Sequence, residues 1–253
     1  MKTLKTTFAI LILLFAVSCS KDNEPTQEPV QEIKDNRLIK EINEKTTKIF
    51  AYNGNNQLTK VTELGDLGFG ITQSIENYTY TDGKITKKTE DFTGSESFSF
   101  IYNYWYTNQK LSAVSVQKRI NGINYDFQTL TYNYDTSNVI KQTDERLNGD
   151  KTLAVIDLVN DNITSVSYYT NVTFSNPAGV LNNTSLHTNY DNKKNPYLHL
   201  KSALYNFPIS SSNNVGKYQS SNTVNYTYEY NSDGYPTKRT AGNVVTTFEY
   251  ERI

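Results

Sequence analysis

A short pattern recurs along most of this chain and constrains its fold more than any other feature. Each copy holds two residues at positions i and i+2, aromatic or apolar except for Thr188 in one looser copy, then a polar loop, then another apolar residue. The seven copies are Phe50–Tyr52 with Leu58, Tyr78–Tyr80 with Ile85, Tyr104–Tyr106 with Leu111, Tyr132–Tyr134 with Val139, Ile156–Leu158 with Ile163, Thr188–Tyr190 with Tyr197, and Tyr228–Tyr230 with Tyr235. Such an internal repeat predicts that one supersecondary unit builds the whole domain.

The repeated unit has the properties of a β-hairpin. Residues at i and i+2 lie on one face of a strand, and loops of Asp, Asn, Gly, Ser and Thr suit four-residue hairpin loops. Further turn sequences lie between the copies, at Gly65–Gly70, Asn121-Gly122, Asn148–Asp150 and Asn176–Gly179. Because turns lie at both ends of the strands, we predict an all-β domain over 37–253, an antiparallel up-and-down meander of about fifteen strands.

A sheet of this size must curl, because a flat sheet leaves long edges open to pairing. We therefore expect a strongly curved, open or half-closed barrel. Alternation along the strands assigns the two faces. Tyr78 and Tyr80 lie on a tyrosine-rich face that the barrel can bury, whereas Thr79, Thr86 and Lys88 lie on a polar face.

One stretch departs from the β pattern. Asn195 is a favourable N-cap, and Pro196 suits the first position of a helix. The sequence therefore predicts one short helix over 196–204, followed by a polar loop to Ser220. Loops of this length inside a compact domain are often functional, and we interpret the helix and loop as a plug for one end of the sheet.

The N-terminus has the organisation of a bacterial export signal. Lys2 and Lys5 precede ten apolar residues, Phe8–Val17. As a helix these residues rise only about 15 Å, too little for the roughly 30 Å hydrocarbon core of a bilayer. A charged segment followed by an apolar one of this length is typical of a signal peptide, which we place at 1–18.

Cys19 follows the signal peptide and is the only cysteine of the chain. With Ala16-Val17-Ser18 it resembles the lipobox of bacterial lipoproteins, which predicts lipid attachment at Cys19. Residues 19–36 are acidic and contain prolines, so we expect a disordered tether there. The acidic residues after Cys19 resemble the surface-export signal of Bacteroidota lipoproteins. We expect an outer-membrane lipoprotein exposed on the cell surface, or otherwise on the periplasmic face.

Three segments carry a family resemblance: the lipobox, Tyr190–Tyr197 and Tyr228–Pro236. The Y-x-Y-[ND] units look like the tyrosine-aspartate repeats of secreted bacterial proteins. The whole arrangement resembles a family of Bacteroidota lipoproteins that contain a domain of unknown function with a porin-like fold. The resemblance covers residues 37–253 and implies a soluble, open or half-closed barrel of antiparallel strands. It implies no activity.

No known catalytic or metal-binding motif occurs in the sequence. There is no G-x-S-x-G, no H-E-x-x-H and no phosphate-binding glycine loop. The two histidines, His187 and His199, have no cysteine partner for a zinc site. We therefore expect structural or surface histidines, no metal and no cofactor. A formal charge of −1 provides no basic field for nucleic acid.

Trp105 is the residue we select as a candidate ligand contact, together with its neighbours Tyr104 and Tyr106. Because Trp105 lies between two residues of the tyrosine-rich face, alternation places its indole on the polar face. An indole on a polar face suits sugar stacking or a contact with a partner. The alternative is local packing with Val114 and Val116.

Three classes of function remain open. We prefer a non-catalytic binding or accessory protein of the envelope, with a glycan, peptide or protein ligand, because the chain has 20 Tyr and 11 Phe but no catalytic motif. The alternatives are a structural or assembly protein of the outer membrane and a glycan hydrolase. Candidate carboxylates for a hydrolase are Asp91, Asp126, Asp144 and Asp157. A transmembrane barrel is disfavoured, since its strands need an outward apolar band. We expect a monomer held to the membrane by its lipid.

Overall fold

The computed structural model describes residues 35–200 and 211–253. The predicted signal peptide, Cys19 and the tether up to residue 34 lie outside the described residues, as do residues 201–204 of the predicted helix. In the described part of the predicted helix, residues 196–200, there is a turn of 3-10 helix at Leu198–Leu200.

Sixteen β-strands make up the described part of the domain. In chain order they are β1 (Asn36–Asn43), β2 (Thr46–Tyr52), β3 (Leu58–Gly65), β4 (Ile71–Thr81), β5 (Lys84–Gly94), β6 (Phe98–Thr107), β7 (Lys110–Ile120), β8 (Ile123–Thr136), β9 (Val139–Arg146), β10 (Lys151–Val159), β11 (Asn162–Thr170), β12 (Val180–Thr188), β13 (Lys217–Gln219), β14 (Thr223–Tyr230), β15 (Pro236–Ala241) and β16 (Val244–Arg252). The domain thus begins at Asn36, one residue before the predicted boundary.

Each strand pairs with its neighbours in sequence order, and the sheet closes into a barrel. The closing pair is β1 with β16, where Leu38 lies opposite Tyr250 and Glu41 opposite Phe248. The prediction of an all-β antiparallel meander is therefore confirmed. The barrel is fully closed where the sequence predicted an open or half-closed one, because the first and last strands satisfy each other's edges.

Tight turns join the strands at one end of the barrel. Asp82-Gly83, Asn108-Gln109 and Asn160-Asp161 each have two consecutive positive φ angles. This is the backbone pattern of a type I′ turn, whose twist matches that of the flanking strands. The flanking residues Thr81 and Lys84 already pair with each other. The four-residue loops predicted at these positions are therefore two-residue turns.

A β-bulge next to the Asp82-Gly83 turn changes the face of one predicted surface residue. The pairing register of β4 with β5 shifts by one residue between Thr79 and Tyr80, because a bulge inserts one extra residue in one strand. Beyond the bulge Lys88 lies opposite Tyr78, and directly opposed residues share a face. The prediction that Lys88 lies on the polar face is wrong: it points to the interior.

The two ends of the barrel differ. We call the end with the turns after even-numbered strands the plug end, because the connection from β12 to β13 also lies there. Leu200 of that connection is fully buried against Leu38 and Phe50. We call the other end, with the turns after odd-numbered strands, the mouth. Inner-wall side chains near the mouth reach solvent: Tyr125 is 51% and Phe127 40% exposed.

The inner face carries the core and the outer face is polar. Among the described residues, buried apolar side chains form three clusters, built around Leu38, Phe50 and Ile85, around Leu111 and Val114, and around Ile156 and Val166. Exposed residues of the outer wall include Thr79, Lys87, Thr129, Asn225, Thr227 and Glu229. The tyrosine-rich strand face thus lies inside the barrel, and the threonine-rich face lies outside.

Candidate ligand-binding wall

Strands β4 to β8 form the most extensive part of the barrel wall. They hold 11, 11, 10, 11 and 14 residues, against three in β13 and six in β15. Because side chains alternate along a strand, longer strands add inward-facing positions. The side chains at these positions near the mouth form the candidate site.

Aromatic side chains occupy several of these inward positions. What we call the aromatic cluster consists of Phe92, Phe98, Phe100, Tyr102 and Phe127. The rings of Phe92 and Phe98 stack with centroids 4.9 Å apart. Phe100 meets Phe98 edge-on at 5.7 Å, and its centroid lies 5.3 Å from that of Phe127. The cluster gives the inner wall an apolar surface that water still reaches.

A charged cluster of Glu76, Lys88 and Glu90 adjoins the aromatic cluster. Lys88 Nζ lies 3.3 Å from Glu90 Oε2 and 3.9 Å from Glu76 Oε2. Tyr102 connects the two clusters, since its hydroxyl donates to Glu90 Oε2 at 2.9 Å and Lys88 Nζ lies 4.2 Å from its ring centre. Tyr78 donates a further hydrogen bond to Glu76.

Burial determines the electrostatics of the charged cluster. Its three side chains are only 14 to 18% exposed. Burial raises the pKa of Glu76; the Lys88 ammonium opposes this rise and the Glu90 charge adds to it. Burial also raises the pKa of Tyr102, so its hydroxyl stays protonated at neutral pH. With two carboxylates and one ammonium, the cluster suits a ligand that brings hydroxyl or amine donors.

A cavity of about 370 Å³ opens beside Phe92 and Phe98 at the mouth. Its lining also includes Asp91, Ser99 and Arg119. Ser99 Oγ donates to Asp91 Oδ1 at 2.6 Å. This volume lies in the range of small-ligand pockets. Because Asp91 pairs with Ser99 and Ser99 with Arg119 on the outward face of the strands, the cavity lies at the rim of the wall.

Trp105 lies on the outer wall, with 49% of its surface exposed and Ala113 as its cross-strand partner. Tyr104 and Tyr106 face inward and pack against the core. Val114 also faces inward, opposite Tyr104, and is 2% exposed. The wall of the barrel therefore separates Trp105 from its two tyrosine neighbours, and the three side chains do not share a surface.

The other sequence candidates occupy separate positions. His187 is 4% exposed, its ring meets that of Tyr218 edge-on at 5.1 Å, and burial lowers its pKa. Three of the four aspartates accept hydrogen bonds from neighbouring strands: Asp91 from Ser99, Asp126 from Gln117 and Asp157 from Ser165. Asp144 faces inward opposite Leu130, and burial raises its pKa.

Two findings concern the described residues 35–200 and 211–253 as a whole. No group of three or more His, Cys, Asp or Glu is placed to hold a metal ion there. No helix in these ranges is long and apolar enough to cross a bilayer.

Sequence reasoning did not select the aromatic and charged clusters. One signal was available, because Phe98, Phe100 and Tyr102 alternate over a single strand. The charged cluster had no comparable signal. Its lysine reaches the inner wall only through the bulge between Thr79 and Tyr80.

No protein-family model matches this chain, and no curated protein matches it significantly. Similar solved structures include a porin-like protein from Bacteroides uniformis, with 15% sequence identity and a TM-score of 0.49, covering 85% of this chain and 96% of that one. Another is a porin-like protein from Bacteroides vulgatus, with 9% identity and a TM-score of 0.41, covering 86% of this chain and 99% of that one. Over most of its length the chain is thus similar to porin-like proteins of Bacteroides, at low sequence identity.

Proposed function

We propose that this protein is a non-catalytic binding protein of the bacterial cell envelope that holds its ligand on the inner wall at the mouth. The aromatic cluster carries the proposal. Phe127 is 40% exposed and Phe92 and Phe98 stack on each other near the mouth, whereas Phe100 and Tyr102 also pack against the core around Leu111 and Val114. An apolar surface that stays wet in a folded protein is commonly a binding surface.

The charged cluster supports binding rather than catalysis. Glu90 accepts from Tyr102, Glu76 accepts from Tyr78, and Lys88 lies between the two carboxylates. A hydrolase of glycans needs one carboxyl group as acid and a second as base or nucleophile toward substrate. Here both groups are engaged with neighbours, which suits a fixed set of hydrogen-bond acceptors for a ligand.

The polar composition of the outer wall supports a barrel whose outer surface faces water. A barrel that spans a membrane presents an outward apolar band about 25 Å tall. The outer wall here carries Thr79, Lys87, Thr129 and Thr227 at exposed positions. We propose that the lipid on Cys19, and not a membrane-spanning band of the strands, anchors the protein in the membrane.

The lipid on Cys19 is tested by growing cells with labelled palmitate. The wild type should take up the label and fractionate with the outer membrane, whereas Cys19→Ala should remain unlabelled. Equal labelling of the two proteins would rule out Cys19 as the attachment site.

A glycan is the first ligand class to test, because a sugar ring can stack on aromatic rings while its hydroxyls donate to nearby carboxylates. A glycan array probed with residues 19–253 carrying Cys19→Ala should select a ligand for calorimetric titration. The double variant Phe98→Ala/Phe100→Ala should then weaken binding at least about tenfold, which is about 1.4 kcal/mol. The control Trp105→Ala should bind as the wild type does. The reverse result would move the site to the outer wall.

A further inference from the structure

Large apolar side chains stand exposed at the mouth, on the turns or at the strand ends beside them. Phe69 lies on the turn between β3 and β4 and is 102% exposed, and Phe174 lies between β11 and β12 and is 106% exposed. Leu147, between β9 and β10, is 75% exposed. The others are Ile120, Ile123, Val180, Leu181 and Val244, with exposures from 38 to 57%. We call these eight residues the mouth tips.

The plug end differs sharply in composition. Its short turns are Asn53–Gln57, Asp82-Gly83, Asn108-Gln109, Ser137-Asn138, Asn160-Asp161 and 231–235, and apart from the buried Tyr235 all of their residues are polar or glycine. Among the described residues of this end, the exposed large apolar side chains are Val159 and Ile253. The concentration of exposed apolar side chains at the mouth indicates a specific use for that end.

The backbone at Phe69 supports a use for that side chain. Gly68, Phe69 and Gly70 have φ angles of 85°, 51° and 74°. Glycine adopts such left-handed conformations freely, but a bulky residue does so only at a cost. Asparagine or glycine would fit this position with less strain, so the phenylalanine stands there against the preference of the backbone.

We propose that the mouth tips dock the barrel onto the surface of a lipid bilayer. Six of the tips lie on or beside the three successive turns that follow β7, β9 and β11, and Phe69 and Val244 lie further around the rim, beyond the polar turns 95–97 and 220–222. A protein partner would have to match this whole arc with one complementary surface. A bilayer accepts each apolar side chain independently, and its affinity grows with the apolar area inserted. The proposal concerns a different surface from the ligand-binding wall and does not depend on it.

Charge at the mouth indicates that docking is apolar rather than electrostatic. The mouth turns and adjoining strand ends carry both signs: Lys45, Arg119 and Arg146 are basic, while Asp66 and Asp150 are acidic. Attraction to anionic lipid requires a cluster of basic residues. The mouth should therefore bind phosphatidylcholine, a zwitterion with no net charge, with little dependence on salt.

The length of the preceding chain allows this orientation. Cys19, the expected lipid attachment site, precedes Asp35 by 16 residues, and so many residues reach at most about 55 Å when extended. A ten-residue strand rises only about 33 Å. A lipid anchor joined to the plug end therefore leaves enough chain for the mouth to face the same bilayer.

The test uses residues 19–253 with Cys19→Ala, so that no lipid anchor contributes. This protein should sediment with phosphatidylcholine vesicles equally at about 0.05 M and about 0.5 M salt. The variant Phe69→Asn/Phe174→Ser should bind at least about tenfold less. Its thermal stability should not fall, because asparagine tolerates the conformation of residue 69. The control Ile49→Ser/Val159→Ser, which removes exposed apolar side chains away from the mouth, should bind as the parent does.

A second readout places the tips in the lipid directly. In Trp105→Phe/Phe174→Trp, the emission of the new indole should shift to the blue when vesicles are added. A parent protein that stays in the supernatant, or a tip variant that binds as well as the parent, overturns the proposal. The proposal is also overturned if the parent protein does not bind vesicles but forms dimers, and the tip variant does not form them. That result would assign the tips to a protein interface.

Discussion

Tyrosine hydroxyls connect successive hairpins of this barrel at the plug end. Tyr80 donates to the backbone oxygen of Leu58 at 2.8 Å, and Tyr52 donates to that of Leu38 at 2.6 Å. Burial raises the pKa of Tyr80 to about 12, so the hydroxyl remains a donor at neutral pH. The ring fills the core while the hydroxyl satisfies a strand carbonyl, which explains why the repeat favours tyrosine over phenylalanine.

Tyr80→Phe tests this role. Removing the hydroxyl leaves the carbonyl of Leu58 with one partner fewer, so we expect a loss of about 1 kcal/mol in the free energy of unfolding. Urea denaturation measures it. Tyr125→Phe is the matched control, because Tyr125 is 51% exposed, and it should leave stability unchanged. Equal losses in both variants would contradict the role of the hydrogen bond.

Trp105→Ala tests the outer-wall placement of the indole. Because Trp105 is 49% exposed, the substitution should cost less than about 1 kcal/mol. Leu111→Ala, in the next strand, removes a side chain that is 1% exposed and should cost about 2–5 kcal/mol. Melting curves of the two variants provide the comparison. A loss for Trp105→Ala as large as that for Leu111→Ala would assign the indole to packing.

His187 makes stability depend on pH. Burial lowers its pKa in the folded state below the ordinary value of 6.5. The unfolded chain therefore binds the proton more readily than the folded protein. The contribution of His187 to the free energy of unfolding is complete above pH 6.5, and it is lost as the pH falls through the pKa of the folded state. Between about pH 7 and about pH 5 the wild type should lose more stability than His187→Gln. The same pH response in both proteins would exclude the histidine as its source.

The two-residue turns impose their own conformational requirement on each hairpin. Gly83 has a φ of 77° and open space around its Cβ position, whereas Gly54 has the same open space without a positive φ. Gly83→Ala should therefore cost about 1 kcal/mol through the backbone alone, and Gly54→Ala should cost nothing. Denaturant unfolding of both variants separates conformation from packing. Equal stability of the two would mean that the turn relaxes.

Hairpin order could be read from the sequence, but register could not. The alternation at Tyr78 and Tyr80 gives the strand and its buried face, because period-two patterns are local. The bulge beside Tyr80 adds one residue to β5, and one extra residue exchanges the two faces beyond it. For this reason alternation alone places Lys88 on the outer face and does not predict its contact with Glu76 and Glu90.

Closure of the barrel is a property of the whole molecule, and no local sequence pattern indicates it. The pairing of Leu38 with Tyr250 joins the two ends of the domain, and no turn between them marks it. The curvature of the sheet was predictable from strand number, whereas full closure depends on how sixteen strands accumulate twist and stagger. The candidate wall shares this dependence, since its residues come from β4, β5, β6 and β8 and meet only when the register is set.

A circular permutation tests closure at this level. Ile253 N donates to Asp35 O at 2.9 Å, so a short glycine-serine linker can join the ends of residues 35–253. New ends can be opened between Asn148 and Gly149, in an exposed turn at the mouth. Because the strand order around a closed barrel has no beginning, we expect the permuted chain to fold with a β-type circular dichroism spectrum and a melting temperature close to that of the parent.

The control for this permutation opens the chain between Val114 and Ser115 instead. Val114 is 2% exposed and lies in the middle of β7, so new ends there break a paired strand and place charged termini beside the core. That protein should fail to fold or melt far below the parent. If the Asn148–Gly149 permutant does not fold either, the pairing of β1 with β16 is not a regular part of the barrel. Success of both permutants would show that continuity of the core strands is dispensable, which would contradict a closed barrel that folds cooperatively.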